Sequence, residues 1–185
     1  GYFGRAKLNK NNKVKLLDVF FGVVNTPTQM VAMLRQSSNY RTSPLTDRRA
    51  LAAWATQVLN KAKSVKGVKK YEHGTVDLAF MQKFVKLSVK DNSPVLAQTY
   101  LKKHGIILVI EPHFRKTFLD GAAILLNKDN PVIGLTIRHN RLDNFWFTLM
   151  HELAHISKHY NSGFSFFYDE MEDIKAAEIN SKEKE

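Results

Sequence analysis

The chain has 185 residues, of which 44% are hydrophobic and 24% are charged, and it contains no cysteine. These values are ordinary for a globular domain with a core, and the lack of cysteine excludes disulfides, thiolate metal sites and a cysteine nucleophile. The formal net charge of +11 favours contact with nucleic acid or an acidic partner, although a merely solvated basic surface would have the same charge.

No stretch is apolar over the roughly 20 residues that a membrane span requires, and no apolar signal segment follows the N-terminus. The sequence therefore predicts a cytoplasmic protein with no membrane span. It begins without a methionine, and its last acidic segment ends without a helix-stop signal. We therefore expect a chain that is cut from a longer protein.

The first hundred residues are basic and predict helices. After a polar tail, helix-start signals or apolar residues at helical spacing occur in the segments 26–40, 43–65, 75–89 and 93–104. Gly105 is expected to end the last of these helices. We predict that residues 1–74 form a basic helical segment. This segment would act as a linker, pack against the rest of the chain, or mediate dimerisation, and in the last case the protein would be a homodimer.

Short β-branched and apolar runs follow, at residues 106–112, 122–127 and 132–138. The turn cluster KDNP separates the second run from the third, so the sequence predicts a small antiparallel three-stranded sheet. Asp143 or Asn144 is expected to cap a long helix, and "NSGFSFFYDE" is read as a loop. The predicted fold class is therefore α+β, with a helical N-terminal segment followed by the sheet and the long helix.

The long helix contains His-Glu-Leu-Ala-His, an H-E-x-x-H motif, at residues 151–155. Residues four apart lie on one face of a helix, so His151 and His155 would direct two imidazoles at one point, where Zn²⁺ accepts neutral imidazole nitrogens. Glu152 lies further round the helix and is placed to take a proton from a water molecule at the metal. The alternative is an amphipathic helix with partly buried histidines.

A zinc site needs a third protein ligand. His159 lies about 6 Å further along the helix axis than His155, so it is expected near the site and not on the metal. The zincin class whose third ligand is a histidine six residues after the second is excluded, since Asn161 stands there. A glutamate from the acidic end of the chain remains, and the sequence offers Glu170, Glu172, Glu178, Glu183 and Glu185.

The region from about residue 78 to 185 resembles the ImmA/IrrE family of metallopeptidase-like domains. The resemblance lies in "GIILVIEP", in "LDG" before the second strand, and in "IRHNRLDNFWFTLMHELAH", where Ala154 replaces the usual glycine. It implies a zincin-like packing of the sheet on the H-E-x-x-H helix, and a metallopeptidase domain over residues 75–185. The family's third ligand is a glutamate in an E-x-x-A-[ND] motif, which "SKEKE" matches in its first half, so the resemblance implies Glu183, with Glu185 as the alternative.

Members of this family often follow a helix-turn-helix domain in regulators resembling the HigA antitoxin, and others cleave a partner repressor. The resemblance therefore implies a zinc endopeptidase that acts on a partner protein in a regulatory, stress or toxin-antitoxin system. Arg138, at a strand end, is expected to bind substrate, with a simple surface position as the alternative. The sheet edge at 132–138 would hold the substrate as an added strand. The alternative is a non-proteolytic sensor or binding domain of a transcription regulator, with DNA bound through a missing domain or the basic N-terminal half.

Overall fold

The computed structural model describes residues 46–125, 130–136, 141–160 and 165–170. Within these ranges the chain is α+β, with four α-helices, one 3₁₀-helix and one four-stranded sheet. The α-helices are α1 (Arg48–Lys63), α2 (Leu78–Val85), α3 (Ser93–Lys103) and α4 (Leu142–His159), and the 3₁₀-helix Lys86–Val89 follows α2. The strands are β1 (Ile107–Ile110), β2 (Leu119–Leu125), β3 (Val132–Leu135) and β4 (Ser165–Glu170).

Local capping signals explain where three of the helices begin or end. The carboxylate of Asp47 accepts a hydrogen bond of 2.8 Å from the Arg49 amide at the start of α1, and Asp77 accepts one of 2.6 Å from Phe80 at the start of α2. After α3, Gly105 has a φ of +80°, a left-handed conformation that ends the helix as the sequence predicted.

The start of α4 differs from the prediction. The residue before the first helical turn is Arg141, so neither Asp143 nor Asn144 caps the helix. Asp143 lies in the first turn, where the Arg141 Nε donates a hydrogen bond of 3.1 Å to its Oδ1 and the Arg141 Nη2 contacts its Oδ2. A carboxylate in the first turn interacts favourably with the helix dipole. The Asp143 side chain therefore stabilises α4 from its first turn and not from the capping position.

The strands lie in the order β1-β3-β2-β4. Strands β2 and β3 pair antiparallel, as the KDNP turn predicted, with Ala122 opposite Gly134. Strand β1 pairs with β3 in parallel, so the prediction of a wholly antiparallel sheet is wrong. The reason is that β2 reverses the chain and β3 reverses it again, which brings β3 alongside β1 in the same direction.

The sheet also has a fourth strand, where the sequence indicated a loop. Strand β4 pairs antiparallel with the outer side of β2, with Phe167 opposite Ala123. Strand β3 therefore lies between β1 and β2, and the predicted substrate edge at 132–138 is wrong for residues 132–135, whose backbone already pairs on both sides. The open edges of the described sheet belong to β1 and β4.

Helices cover both faces of the sheet. Helix α1 packs on one face in an apolar cluster with Val109, Ala122, Ile124 and Val132. Helices α2, α3 and α4 pack on the other face, in a cluster that contains Leu108, Ala123, Leu125 and Ile133. Adjacent strand residues thus point into opposite clusters, which explains why the strands are continuous apolar runs and do not alternate with polar residues.

Helix α1 lies within the predicted N-terminal segment 1–74, and its Trp54 is fully buried against the sheet. The division of the chain into 1–74 and 75–185 stays a prediction, and the helix predicted at 26–40 lies outside the described residues. In the described part of the chain, every helix is too short or too polar to cross a membrane.

Candidate metal centre

The two histidines of the H-E-x-x-H motif converge on α4. The Nε2 atoms of His151 and His155 are 3.0 Å apart, and the ring centroids are 4.8 Å apart with the ring planes at 70°. The His151 side chain is exposed, while only 9% of His155 is exposed. The pair therefore has one ring within the protein and one at the surface.

The two imidazole nitrogens are of the ligand type that zinc accepts in proteins. Two Zn–N bonds of about 2.0–2.1 Å at a tetrahedral angle would place the two nitrogens about 3.3 Å apart. The observed separation of 3.0 Å reaches this value with a small rotation of either ring. Within the described ranges no group of three or more histidine, aspartate and glutamate side chains could hold a metal, and the predicted third ligands Glu183 and Glu185 lie outside those ranges.

Glu152 lies on the side of α4 that faces the sheet, and it is 1% exposed. A Cβ atom built on Gly121 of β2 would lie 3.1 Å from the Glu152 Oε1, 2.7 Å from the Thr148 Cγ2 and 2.9 Å from the Leu135 Cδ2. The absence of a side chain at Gly121 therefore leaves the space that the Glu152 carboxylate occupies. Glu152 is adjacent in sequence to His151, and a positioned carboxylate can act as a general base for water.

Phe167 of β4 is a further member of this site. Its ring stacks on His155, with centroids 4.9 Å apart and planes at 11°, and on His159, with centroids 4.5 Å apart and planes at 21°. This contact was not predicted, because the composition of residues 161–170 indicates a loop. The run of Phe and Tyr in "SFFYDE" was the available signal, since aromatic residues favour strands.

His159 lies beyond the two converging histidines, as the helical spacing predicted. Its ring centroid is 6.0 Å from that of His155, and its ring is half-buried. The stacking on Phe167 gives His159 a packing role, in which it holds the aromatic ring of β4 against the helix.

A small recess lies one helical turn before Glu152. Its lining combines the apolar Leu135 and Phe145 with five polar residues, which are Asp120 of β2, Thr136 after β3, Arg141 before α4, and Asn144 and Thr148 of α4. At its outer side, the hydrogen bond from Arg141 holds the pKa of the Asp143 carboxyl below its ordinary value. Arg138, the predicted substrate-binding residue, lies outside the described residues.

No family model, curated protein or solved structure matches this chain. The likeness of its motif residues to the ImmA/IrrE family stays a prediction.

Proposed function

We propose that the chain is a zinc-dependent endopeptidase domain of the ImmA/IrrE kind, in a cytoplasmic protein. The single observation that carries the proposal is the 3.0 Å approach of the His151 and His155 Nε2 atoms beside the buried Glu152. Two imidazole nitrogens that converge on one point, with a glutamate on the adjacent residue, are the arrangement that a zinc-activated water requires.

In this proposal His151, His155 and Glu183 hold the metal, with Glu185 as the alternative third ligand. When bound, zinc would supply Lewis acidity that lowers the pKa of a water molecule and polarises a peptide carbonyl. Glu152 takes the proton from the attacking water and delivers it to the leaving amine. Its burial against Gly121 fixes the direction of the carboxylate, so that little reorganisation is required when the proton moves.

The proposed substrate is a peptide segment of a partner protein, such as a repressor or toxin in a regulatory system. Since β3 is paired on both sides, an extended substrate would have to pair with β4 or β1 at the open edges of the described sheet. Strand β4 is the nearer candidate, because its Phe167 already contacts His155. Arg138 stays a proposed substrate contact.

A second candidate function is a non-proteolytic sensor or partner-binding domain of a DNA-binding regulator. The stacking of Phe167 favours it, because the flat contact at 11° covers one face of the His155 ring and restricts access from the side of β4. In this alternative the zincin-like shape binds a partner or a small signal, and Glu152 takes part in no reaction.

Metal content is the first test of the proposal. The purified wild-type chain is expected to bind about one zinc ion when all ligands are present. His155→Ala should remove most of this zinc, while His159→Ala should retain it, because His159 is a matched histidine on the same helix that lies outside the ligand pair. A wild-type protein that binds no zinc at neutral pH, or equal retention by both variants, would exclude the metal site.

Glu152→Gln separates the two candidate functions. The variant should keep its zinc but cleave a denatured peptide mixture on the order of 10²- to 10⁴-fold more slowly, the range expected when a general base is removed. New amino termini detected by mass spectrometry measure the cleavage. If the variant keeps its zinc and neither protein produces new termini, the binding-domain function is favoured and the peptidase proposal fails.

A further inference from the structure

Six lysines lie on two chain segments that contact each other, one that begins at the end of α1 and one at the end of α3. We call them the lysine surface, and they are Lys63, Lys66, Lys69, Lys70, Lys102 and Lys103. All are exposed except Lys102, which is half-buried. The two chain segments are in contact, because the Lys69 amide donates a hydrogen bond of 3.4 Å to the Lys102 carbonyl, and a Cβ atom on Gly67 would lie 3.7 Å from the Lys102 Nζ.

The backbone beneath these lysines is fixed by contacts distant in sequence. The Asn130 side-chain amide donates hydrogen bonds to the carbonyl oxygens of both Lys69 and Gly105. A Cβ atom on Gly105 would lie 2.5 Å from the Tyr71 Cα, so only glycine permits the two segments to approach this closely. The positive charges are therefore presented by an ordered platform, which lowers the entropy that a binding partner must remove.

In the part of the chain that the structure describes, no ion pair is found for any of these six lysines. The neighbouring Lys61, which is not one of the six, pairs with Glu111 at 2.6 Å. The exposed Glu72 follows Lys70 by two residues, and one carboxylate against six lysines leaves this surface positively charged.

We propose that the lysine surface binds the phosphate backbone of double-stranded nucleic acid without sequence preference. Clustered lysines release condensed counterions when they contact phosphates, and this term supplies most of non-specific binding to a duplex. A protein partner is disfavoured, because protein interfaces are depleted in lysine and depend on aromatic or apolar anchors. A single strand is also disfavoured, because Tyr71, the aromatic residue of the segment 63–71, is only 5% exposed and offers no ring on which a base could stack.

This inference does not rest on the proposed peptidase function, because none of the six lysines belongs to the candidate metal centre. A Glu152→Gln variant should therefore bind a duplex with wild-type affinity. Failure of the zinc test would leave the nucleic-acid proposal standing, and failure of the nucleic-acid test would leave the zinc proposal standing.

The test compares two triple variants that each lower the net charge of +11 by three units. The first removes charges of the lysine surface, with Lys66→Ala, Lys69→Ala and Lys70→Ala. The matched control removes three exposed lysines from α2 and the segment after it, with Lys83→Ala, Lys86→Ala and Lys90→Ala. Circular dichroism establishes that both variants are folded before binding is measured.

Fluorescence anisotropy of a labelled duplex of about 20 base pairs, titrated between about 50 and 200 mM salt, measures affinity and its salt dependence. The first variant should bind on the order of tenfold more weakly at low salt, with the slope of log K against log salt reduced by about 2 to 3. The control should change the affinity less than about twofold, and a second duplex of unrelated sequence should bind equally well.

Four outcomes would overturn the proposal. Equal losses of affinity in the two variants would show that binding depends on overall charge and not on this surface. Absence of duplex binding by the wild type would refute the proposal directly. Tighter binding of a single strand of the same length, or displacement of the duplex by poly-glutamate at equal charge concentration, would assign the surface to another kind of partner.

Discussion

The two faces of the sheet use the same packing device for different purposes. On one face, Gly134 of β3 admits the ring of Trp54 from α1, since a Cβ atom there would lie 2.6 Å from the Trp54 Cη2. On the other face, Gly121 of β2 admits Thr148 and Glu152 from α4. A glycine lets a helix approach a strand closely in both places, but the first contact is apolar and the second positions a carboxylate.

The residues of the candidate site thus lie on one face of the sheet, and the buried tryptophan lies on the other. The α1 face has an apolar cluster centred on a fully buried tryptophan. The α4 face buries Glu152 and His155 next to its apolar cluster, whereas the buried carboxylate beside α1, that of Glu111, pairs with Lys61. The α1 face therefore compensates its buried charge with an ion pair, and the α4 face holds two residues of the candidate site.

Trp54→Ala should have the largest effect on this comparison. Removal of a fully buried tryptophan is expected to lower the free energy of unfolding by about 3–5 kcal/mol. Denaturant unfolding measures the loss, and Trp54→Phe provides a milder variant if the alanine variant does not fold. Zinc bound per folded chain should stay at the wild-type level, because Trp54 packs on the opposite face from His155. A loss of zinc without a loss of stability would contradict the separation of the two faces.

Gly121→Ala and Gly134→Ala form a matched pair with an intermediate effect. Each adds one methyl group to a close-packed contact, which is expected to lower the free energy of unfolding by about 1–3 kcal/mol. Only Gly121→Ala should also slow peptide cleavage by the folded protein, because the new Cβ atom would lie 3.1 Å from the Glu152 Oε1. Equal cleavage rates, measured well below the denaturation midpoint of both variants, would show that Gly121 does not position Glu152.

The smallest predicted effect is a pH-dependent change in the free energy of unfolding that comes from Tyr71, a buried polar residue in the cluster of the α4 face. Burial raises the pKa of the Tyr71 phenol to about 12, and its ring lies 4.5 Å from that of Tyr160. The folded chain therefore keeps the phenol proton where the unfolded chain, with an ordinary pKa of about 10, loses it. Stability from this group is complete below pH 10 and is lost as the pH rises from about 10 to about 12.

At pH 10.5 the loss should be roughly 1 kcal/mol relative to pH 8, which follows from the two pKa values. Urea unfolding of the wild type and of Tyr71→Phe at both pH values measures it. Between pH 8 and pH 10.5, the free energy of unfolding of the variant should fall by roughly 1 kcal/mol less than that of the wild type, since the variant has no phenol at this position. An identical decrease in both proteins would mean that the Tyr71 phenol titrates alike in the folded and unfolded chains.

The sequence predicted much of this fold because most of its elements carry local signals. Apolar residues at helical spacing predicted α1 and α2, Gly105 ends α3, and the KDNP segment lies between two strands that pair antiparallel. The predicted α+β class is confirmed. The parallel pairing of β1 with β3 could not be predicted in this way, because it joins segments that no local turn connects.

In the candidate site, too, local features were predictable from the sequence and contacts between distant segments were not. Sequence alone determined that His151 and His155 share a helix face, since one turn of an α-helix fixes the relative position of residues four apart. Only the tertiary structure decided that Gly121 leaves space for Glu152, that Phe167 stacks on His155, and that β3 is closed on both sides. Those contacts depend on which distant segments pack together, and hydrophobic burial selects such packing across the whole chain without leaving a signal in any short stretch of it.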